Sequence, residues 1–433
     1  MMQLVIAKQR QNPQPVLKTK PQIEIQGFTY DLEGPHYTGS SHSIEFEAEW
    51  MNVVFQVVKD IWQVPAYVDA ESYLTQHFPE QHAAEQLRQY TFQLFSILFQ
   101  HKQSFNITAI TAHREKLIRM IHDEPHAVRV VAYLSGVILE SPEIVINEHI
   151  RLRQTQVTDM EQQKHHSSGD VAMIVFPSAI LEINTKAKKD DFGAFQPLAS
   201  HYVNLLRLFK TGSVNNDFTQ VEFDTITSSK RMSMGEAPPL LVWQQYVIYW
   251  KDEARLLDFL DKFKLPVHER TKPNYLSTAF DRYKETLLEN ATFERRVANA
   301  IMGLEALLSE DTAELTFRLS NRAALLLSFF DLQALAVRNN LTKAYGIRSK
   351  YAHGGFLDEK HRKKIEAEFV SLDQFALTIV NFVRLLYLII TLTTASKKEL
   401  LTLIDDAYID GLRRQQLELL LADAKQILLP VNN

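Results

Sequence analysis

The sequence contains no cysteine in 433 residues. Disulfides, thiolate zinc sites, iron–sulfur clusters and cysteine nucleophiles are thereby excluded. Also missing are a Gly-rich phosphate loop, a G-x-G-x-x-G turn and a G-x-S-x-G elbow, the signatures of nucleotide cradles and serine hydrolases. Charge of one sign does not dominate: 47 Lys and Arg face 52 Asp and Glu, for a net −5. A uniformly basic nucleic-acid coat is ruled out, while a local basic site is not. Long apolar runs are scarce. The most apolar, Leu377 to Leu392, has 16 residues and carries Asn381 and Arg384, too short and too polar for a membrane span. The N-terminal MMQLVIAKQRQNPQPV is too briefly apolar for a signal peptide. The expectation is a soluble cytoplasmic protein with no membrane partner. At about 100–200 residues per domain, its length allows two to four domains.

Proline is unevenly spread. Fourteen of 15 prolines lie at or before Pro273, the last is Pro430, and residues 274–429 have none. A proline costs a helix interior about 3 kcal/mol, so a 156-residue stretch without one predicts a helical domain. All four tryptophans lie before position 251, which supports a boundary near 265–275. The fold class expected is mainly α: a C-terminal helical bundle preceded by a mixed α+β N-terminal region. The divisions are a mixed region of unassigned role (1–165), a connecting region (166–270), the bundle (271–395) and a helical extension (396–433).

In the first part, residues 22–30 read as a strand ending near Gly27. Helices are expected over about 43–64, 83–103 and 107–121, and another from Pro125 to Gly136. Residues 158–170 read as a polar loop and 171–183 as a strand interrupted by Pro177. Helices are expected again over 200–210 and 240–264, with exposed loops over 211–220 and 228–239. In the proline-free part, helices are expected over 277–290, 292–308, 312–329, 333–353 and 359–393, then near 397–407 and 411–428. Asp311 and Glu314 suit the N-cap and N3 positions of a capping box. Gly354-Gly355 is a strong C-terminal stop.

Histidine placement points to chemistry. Of 15 histidines, only His353 and His361 fall in the proline-free region. His353 sits at a helix end in YGIRSKYAHGG, with Arg348 five residues earlier. Imidazole shuttles protons near neutral pH, and a helix C-terminus favours its protonated form. Arginine grips a phosphate through two parallel hydrogen bonds and stabilises charge building on it. With a ribose 2′-hydroxyl as nucleophile, these two residues are a minimal kit for cutting RNA without metal. Five residues on a helix turn about 140° and rise about 7.5 Å, so one pair does not converge easily on one atom. Two copies of the helix across a dimer would bring two pairs together. The surroundings are basic: Lys343, Arg348, Lys350, Lys360, Arg362, Lys363 and Lys364 stand against Asp358 and Glu359, +5 within 22 residues. Such a patch suits a polyanion. A solvated helix end followed by a charged helix start would show the same residues without a ligand.

The segments IMGLEALLSED (301–311), LTFRLSNRAALLL (315–327) and AYGIRSKYAHGG (344–355) resemble the HEPN superfamily, and within it the ApeA-like HEPN group. The resemblance covers about 275–395, and NLLRLFKTGSV (204–214) is similar to the segment that precedes the HEPN domain there. It implies a dimerising helical bundle and a metal-independent endoribonuclease of the toxin or anti-phage kind, without a cofactor. The family's R-x4-6-H signature falls on Arg348 and His353. The residue after the arginine, often Asn, Asp or His in the family, is Ser349 here. RNA, tRNA included, is the implied partner, beside a second copy of the chain and an activator or phage trigger. Some HEPN domains have lost catalysis and serve as RNA-binding or dimerisation modules. Residues 1–165 resemble no family; the size of residues 1–270 leaves room for a sensing role.

Further residues are singled out by position. Tyr351, three residues from Arg348, suits stacking on a base or packing in a dimer interface; Ser349 and Lys350 lie beside it as RNA-binding candidates. Glu305 faces the core of its helix and Arg322 sits in the Leu315/Leu319/Leu326 stripe, which predicts a buried Glu305–Arg322 ion pair. For metals, His122 and His126 have ligand spacing but are separated by helix-breaking Pro125. His165-His166 lies in a polar loop, and His77 and His82 flank Pro79. No metal site is expected.

Overall fold

The proline-free stretch is helical throughout most of its described length, and the chain as a whole is mainly α. The structure is a computed structural model that describes residues 23–25, 28–31, 34–37, 60–80, 82–100, 107–157, 159, 177–226, 230–234, 243–266, 273–287, 291–310 and 315–429. In chain order these form β1 (Ile23–Ile25), β2 (Phe28–Asp31), β3 (Gly34–Tyr37), α1 (Pro65–His77), α2 (Ala83–Gln100), α3 (Ile107–Ile121), β4 (His126–Ser135), β5 (Val137–Leu139), β6 (Glu143–Asn147), β7 (Ile150–Gln154) and β8 (Ala179–Ala187). Then follow α4 (Phe192–Phe209), β9 (Asn215–Phe223), β10 (Lys230–Met234), β11 (Tyr246–Ile248), a 3-10 turn at Trp250–Asp252 and α5 (Glu253–Lys262). The proline-free part supplies α6 (Tyr275–Leu287), α7 (Phe293–Leu308), α8 (Leu315–Ser328), α9 (Ala334–Ala352), α10 (Glu359–Phe369), α11 (Leu372–Leu392), α12 (Lys397–Asp406), α13 (Gly411–Leu420) and α14 (Ala422–Leu428).

Several expectations are corrected. The segment after Pro125 is strand β4, not a helix: Val128, Val130 and Val131 are β-branched and buried, and a short apolar run does not reveal its period. Residues 211–220 and 228–239 contain β9 and β10 rather than only loops. Polar β9 is buried (Asn215, Asp217, Thr219, Gln220) because its side chains find partners: Ser135 Oγ donates to Asp217 Oδ1 at 2.8 Å and Gln220 Nε2 to Glu222 Oε1 at 2.6 Å. The 240–264 helix is β11, the 3-10 turn and α5. The helix over 359–393 is two helices, broken at Val370 (φ +62°), with Ser371 capping α11 through the Gln374 N–H. Most of the 43–64 helix, the 158–170 loop with His165-His166 apart from Asp159, residues 171–176 and the Asp311–Glu314 cap lie outside the described residues.

The chain forms two compact units, one of residues 1–132, 182–199 and 218–234, the other of 133–181, 200–217 and 235–433. In the first, β1, β2 and β3 form an antiparallel meander, β3 pairs in parallel with β10, and β10 pairs antiparallel with β9. Leu74, Phe78, Leu87, Tyr90, Leu117, Met120 and Ile121 pack α1, α2 and α3 around Ala83 and Ile226. The second unit holds the β6–β7 hairpin, the parallel β5–β11 pair and the bundle α6–α14. Gly136 (φ +80°) is obligatory between β4 and β5, since a Cβ there would meet the Ser213 carbonyl oxygen at 2.3 Å.

Helix α11 runs through the middle of the bundle and buries Phe375, Ile379, Val383, Leu386 and Ile390. By length and composition its 21 residues could cross a membrane, but 67% of its apolar window is buried by the rest of the protein. Its buried Arg384 grips the end of α4, donating from Nη1 to the Leu208 and Phe209 carbonyls at 2.7 and 3.0 Å. A cation on the last carbonyls of a helix complements the dipole, although burial lowers the Arg384 pKa. Thr292 caps α7, and Lys397 donates to the Ala306 and Ser309 carbonyls at its other end.

Candidate active site

Helix α9 builds the site. Val337, Leu341 and Ala344 are its buried stripe, spaced i, i+4, i+7, and Arg348 is the next position in that rhythm. The guanidinium therefore reaches the edge of the buried face, its side chain 30% exposed. There Arg348 Nη2 donates to Glu305 Oε2, on α7, at 3.2 Å. The Tyr345 ring lies beside them, its centroid 5.8 Å from the Arg348 guanidinium carbon. Burial, and after it the Glu305 carboxylate, keeps the Tyr345 phenol protonated above its ordinary pKa. Among the described residues this is the one hydrogen bond of a guanidinium that has five N–H donors.

His353 is the C-cap of α9, and its side chain is exposed. The helix stops there because Gly354 adopts φ +76°. Its N–H donates to the Tyr351 carbonyl at 3.0 Å and the Gly355 N–H to the Lys350 carbonyl at 2.9 Å, the paired bonds of a Schellman motif. The imidazole thus stands at the negative end of the helix dipole. Among the described residues no hydrogen bond or ion pair joins Arg348 to His353.

The chain beyond His353 is tied down by a residue sequence reasoning missed. Glu294, 2% exposed on the first turn of α7, accepts from Arg362 Nη2 at 2.5 Å and from the Leu357 N–H at 3.4 Å. Arg362 Nε also donates to the Leu357 carbonyl at 3.1 Å. Asp358 caps α10 through the His361 N–H and accepts from His361 Nδ1 and Lys350 Nζ. These bonds, that of the His361 side chain first, hold its carboxyl far below the usual range. No local pattern marks Glu294, because its partners lie more than 60 residues away.

The basic patch is smaller than its sequence suggests. Glu305, Glu294 and Glu368 come from outside it or from its far edge to meet Arg348, Arg362 and Lys343. Asp358 and Glu359 meet Lys350 and Lys363. Only Lys360 and Lys364 are without an ionic partner among the described residues. Of the RNA-binding candidates, Lys350 is exposed while Ser349 and Tyr351 are half-buried.

The expected Glu305–Arg322 pair does not form. Arg322 instead grips Asp405 of α12 with two bonds (Nε–Oδ1 2.8 Å, Nη2–Oδ2 2.6 Å) and the Leu308 carbonyl with a third (2.6 Å). The stripe on α8 fixes the face Arg322 shares but not its height along α7, and at that height α7 has ended and offers a carbonyl. Of the histidines weighed as metal ligands, His77, His82, His122 and His126 belong to the first unit: His126 opens β4 and meets Asp190 at 2.9 Å, and His77 stacks on Tyr73. Among the described residues no three His, Asp or Glu side chains gather as a metal set. No family model, curated protein or solved structure matches the chain, so the family resemblance rests on the motif residues alone.

Proposed function

We propose that the chain is a metal-independent endoribonuclease of the HEPN type, acting on single-stranded RNA, tRNA loops included, in a toxin or anti-phage role. One observation carries the reading: at one helix end, Arg348 is held by Glu305 with most of its donors unspent, and His353 is exposed as the cap. The ribose 2′-oxygen attacks the adjacent phosphorus, a P–O2′ bond forms and the P–O5′ bond breaks. A proton leaves the 2′-hydroxyl and one reaches the departing 5′-oxygen. His353 moves one of these protons, and Arg348 meets the charge building on the phosphate oxygens. A second copy of the bundle across a homodimer supplies a second Arg–His pair. The products are a 2′,3′-cyclic phosphate and a 5′-hydroxyl.

Purified full-length protein incubated with tRNA or mixed RNA in EDTA tests this. Cleavage is expected from the natural chain, with a loss of about 10²- to 10⁴-fold in His353→Ala. Identical, uncut RNA from both sinks the reading. A second reading is favoured by the Arg348–Glu305 pair itself. If that pair is structural, the bundle is a non-catalytic RNA-binding or dimerisation module beside a sensing N-terminal region. That alternative expects salt-dependent binding with the RNA left intact.

A further inference from the structure

We propose that Phe356 is a base-stacking subsite of this centre, taking an unpaired nucleobase of single-stranded RNA next to the scissile phosphate. The inference rests on the ribonuclease reading. Phe356 lies three residues after His353 and is 66% exposed. A single exposed apolar side chain is ordinary on a protein surface; the backbone that carries this one is not. On one side it follows Gly354 and Gly355, both bonded to the end of α9. On the other it precedes Leu357, 7% exposed, whose N–H and carbonyl are both held, by Glu294 and Arg362. Glu294, which is buried, and half-buried Arg362 also hold each other. The chain therefore pins both flanks of an aromatic side chain and leaves the ring in water.

Pinning lowers the ordering cost of binding before any ligand arrives. The ligand class follows from what surrounds the ring. An exposed aromatic ring three residues after the exposed His353, in a backbone fixed on both flanks, offers stacking to a base whose neighbouring phosphate the charged groups of the centre hold. Stacking of this kind tolerates any base but requires one that is not already stacked in a duplex. Lys350, which among the described residues pairs with Asp358 alone, and Lys360, on the first turn of α10, stand on either side of Phe356 in the chain as cations for the flanking phosphates.

Binding is measured with the full chain carrying His353→Ala, so that no cleavage intervenes, and with a fluorescein-labelled single-stranded oligouridylate as probe. Adding Phe356→Ala is expected to raise the dissociation constant about tenfold or more. Phe356→Trp should restore affinity, Phe356→Leu should not, and affinity for an RNA duplex should be unchanged. Unaltered oligouridylate binding in Phe356→Ala, or full rescue by leucine, overturns the subsite alone. Absence of binding by the His353→Ala parent overturns the RNA reading and the subsite with it. Sedimentation of the same proteins covers the remaining occupant: a monomer–dimer equilibrium shifted by Phe356→Ala would assign the ring to an interface between copies and overturn the proposal.

Discussion

Two arginines rise from apolar faces of the bundle, and they are held in opposite ways. Arg322, where α7, α8 and α12 meet, has a side chain 8% exposed and spends at least three donors, two on Asp405 and one on the Leu308 carbonyl. Arg348, at the end of α9, is 30% exposed and among the described residues makes a single longer bond, to Glu305. A fork closed on a carboxylate by two parallel bonds is a staple with little left to offer a ligand. A fork held at one corner is fixed in direction but open to a phosphate. The same residue type, on the apolar faces of two helices of one bundle, is thus sorted by how many donors its neighbours consume and by whether water reaches it.

Substituting both residues tests that sorting. Arg348→Ala is expected to lower RNA cleavage by about 10²- to 10³-fold, the usual cost of removing one donor to developing charge, and to shift stability by less than about 1 kcal/mol. RNA end-mapping and urea unfolding of the full chain read the two effects. Arg322→Ala is expected to show the opposite pattern, destabilising by about 2 kcal/mol with cleavage per folded molecule unchanged. The figure sits below the 3–5 kcal/mol of a fully buried pair because Asp405, its side chain 46% exposed, regains water when its partner is lost. If both variants destabilise equally and neither loses selective activity, the two arginines are both staples and the comparison collapses.

Most of the C-terminal helices were legible because they carry their punctuation locally, although 359–393 and 411–428 are each two helices. Residues 292–308 have a 3.6-residue apolar rhythm and a threonine cap, and Gly354-Gly355 ends α9 at the position expected. The missed break at Val370 had a signal too, since Ser371 and Gln374 stand at N-cap and N3 spacing. It was hidden by the near-continuous apolar composition that follows. The strands were less legible for two physical reasons. Burial on both faces removes the alternation from β4, and side-chain partners such as Ser135 let the polar β9 be buried. At the site, local pattern located Arg348 and His353, but not the acids that answer them. Glu294, Glu305 and Asp405 find their arginines through packing heights between helices, which no single-helix periodicity encodes.

Glu305 makes the finest test of the comparison. Gln at this position keeps the side-chain length and an oxygen to accept from Arg348, but removes the negative charge. A charge-assisted hydrogen bond is roughly twice as strong as a neutral one, so the guanidinium stays in place but is held less firmly. The expectation for Glu305→Gln is a fall in kcat of about tenfold, about 1.4 kcal/mol. KM should be unchanged or lower, because a carboxylate no longer repels the phosphate. Glu305→Ala should lose more, since nothing then fixes the direction of Arg348. A purely structural glutamate would move the unfolding midpoint and leave this split untouched. Faster cleavage in Glu305→Gln would mean instead that the carboxylate competes with RNA for Arg348, and that the single bond at 3.2 Å blocks the site rather than aiming it.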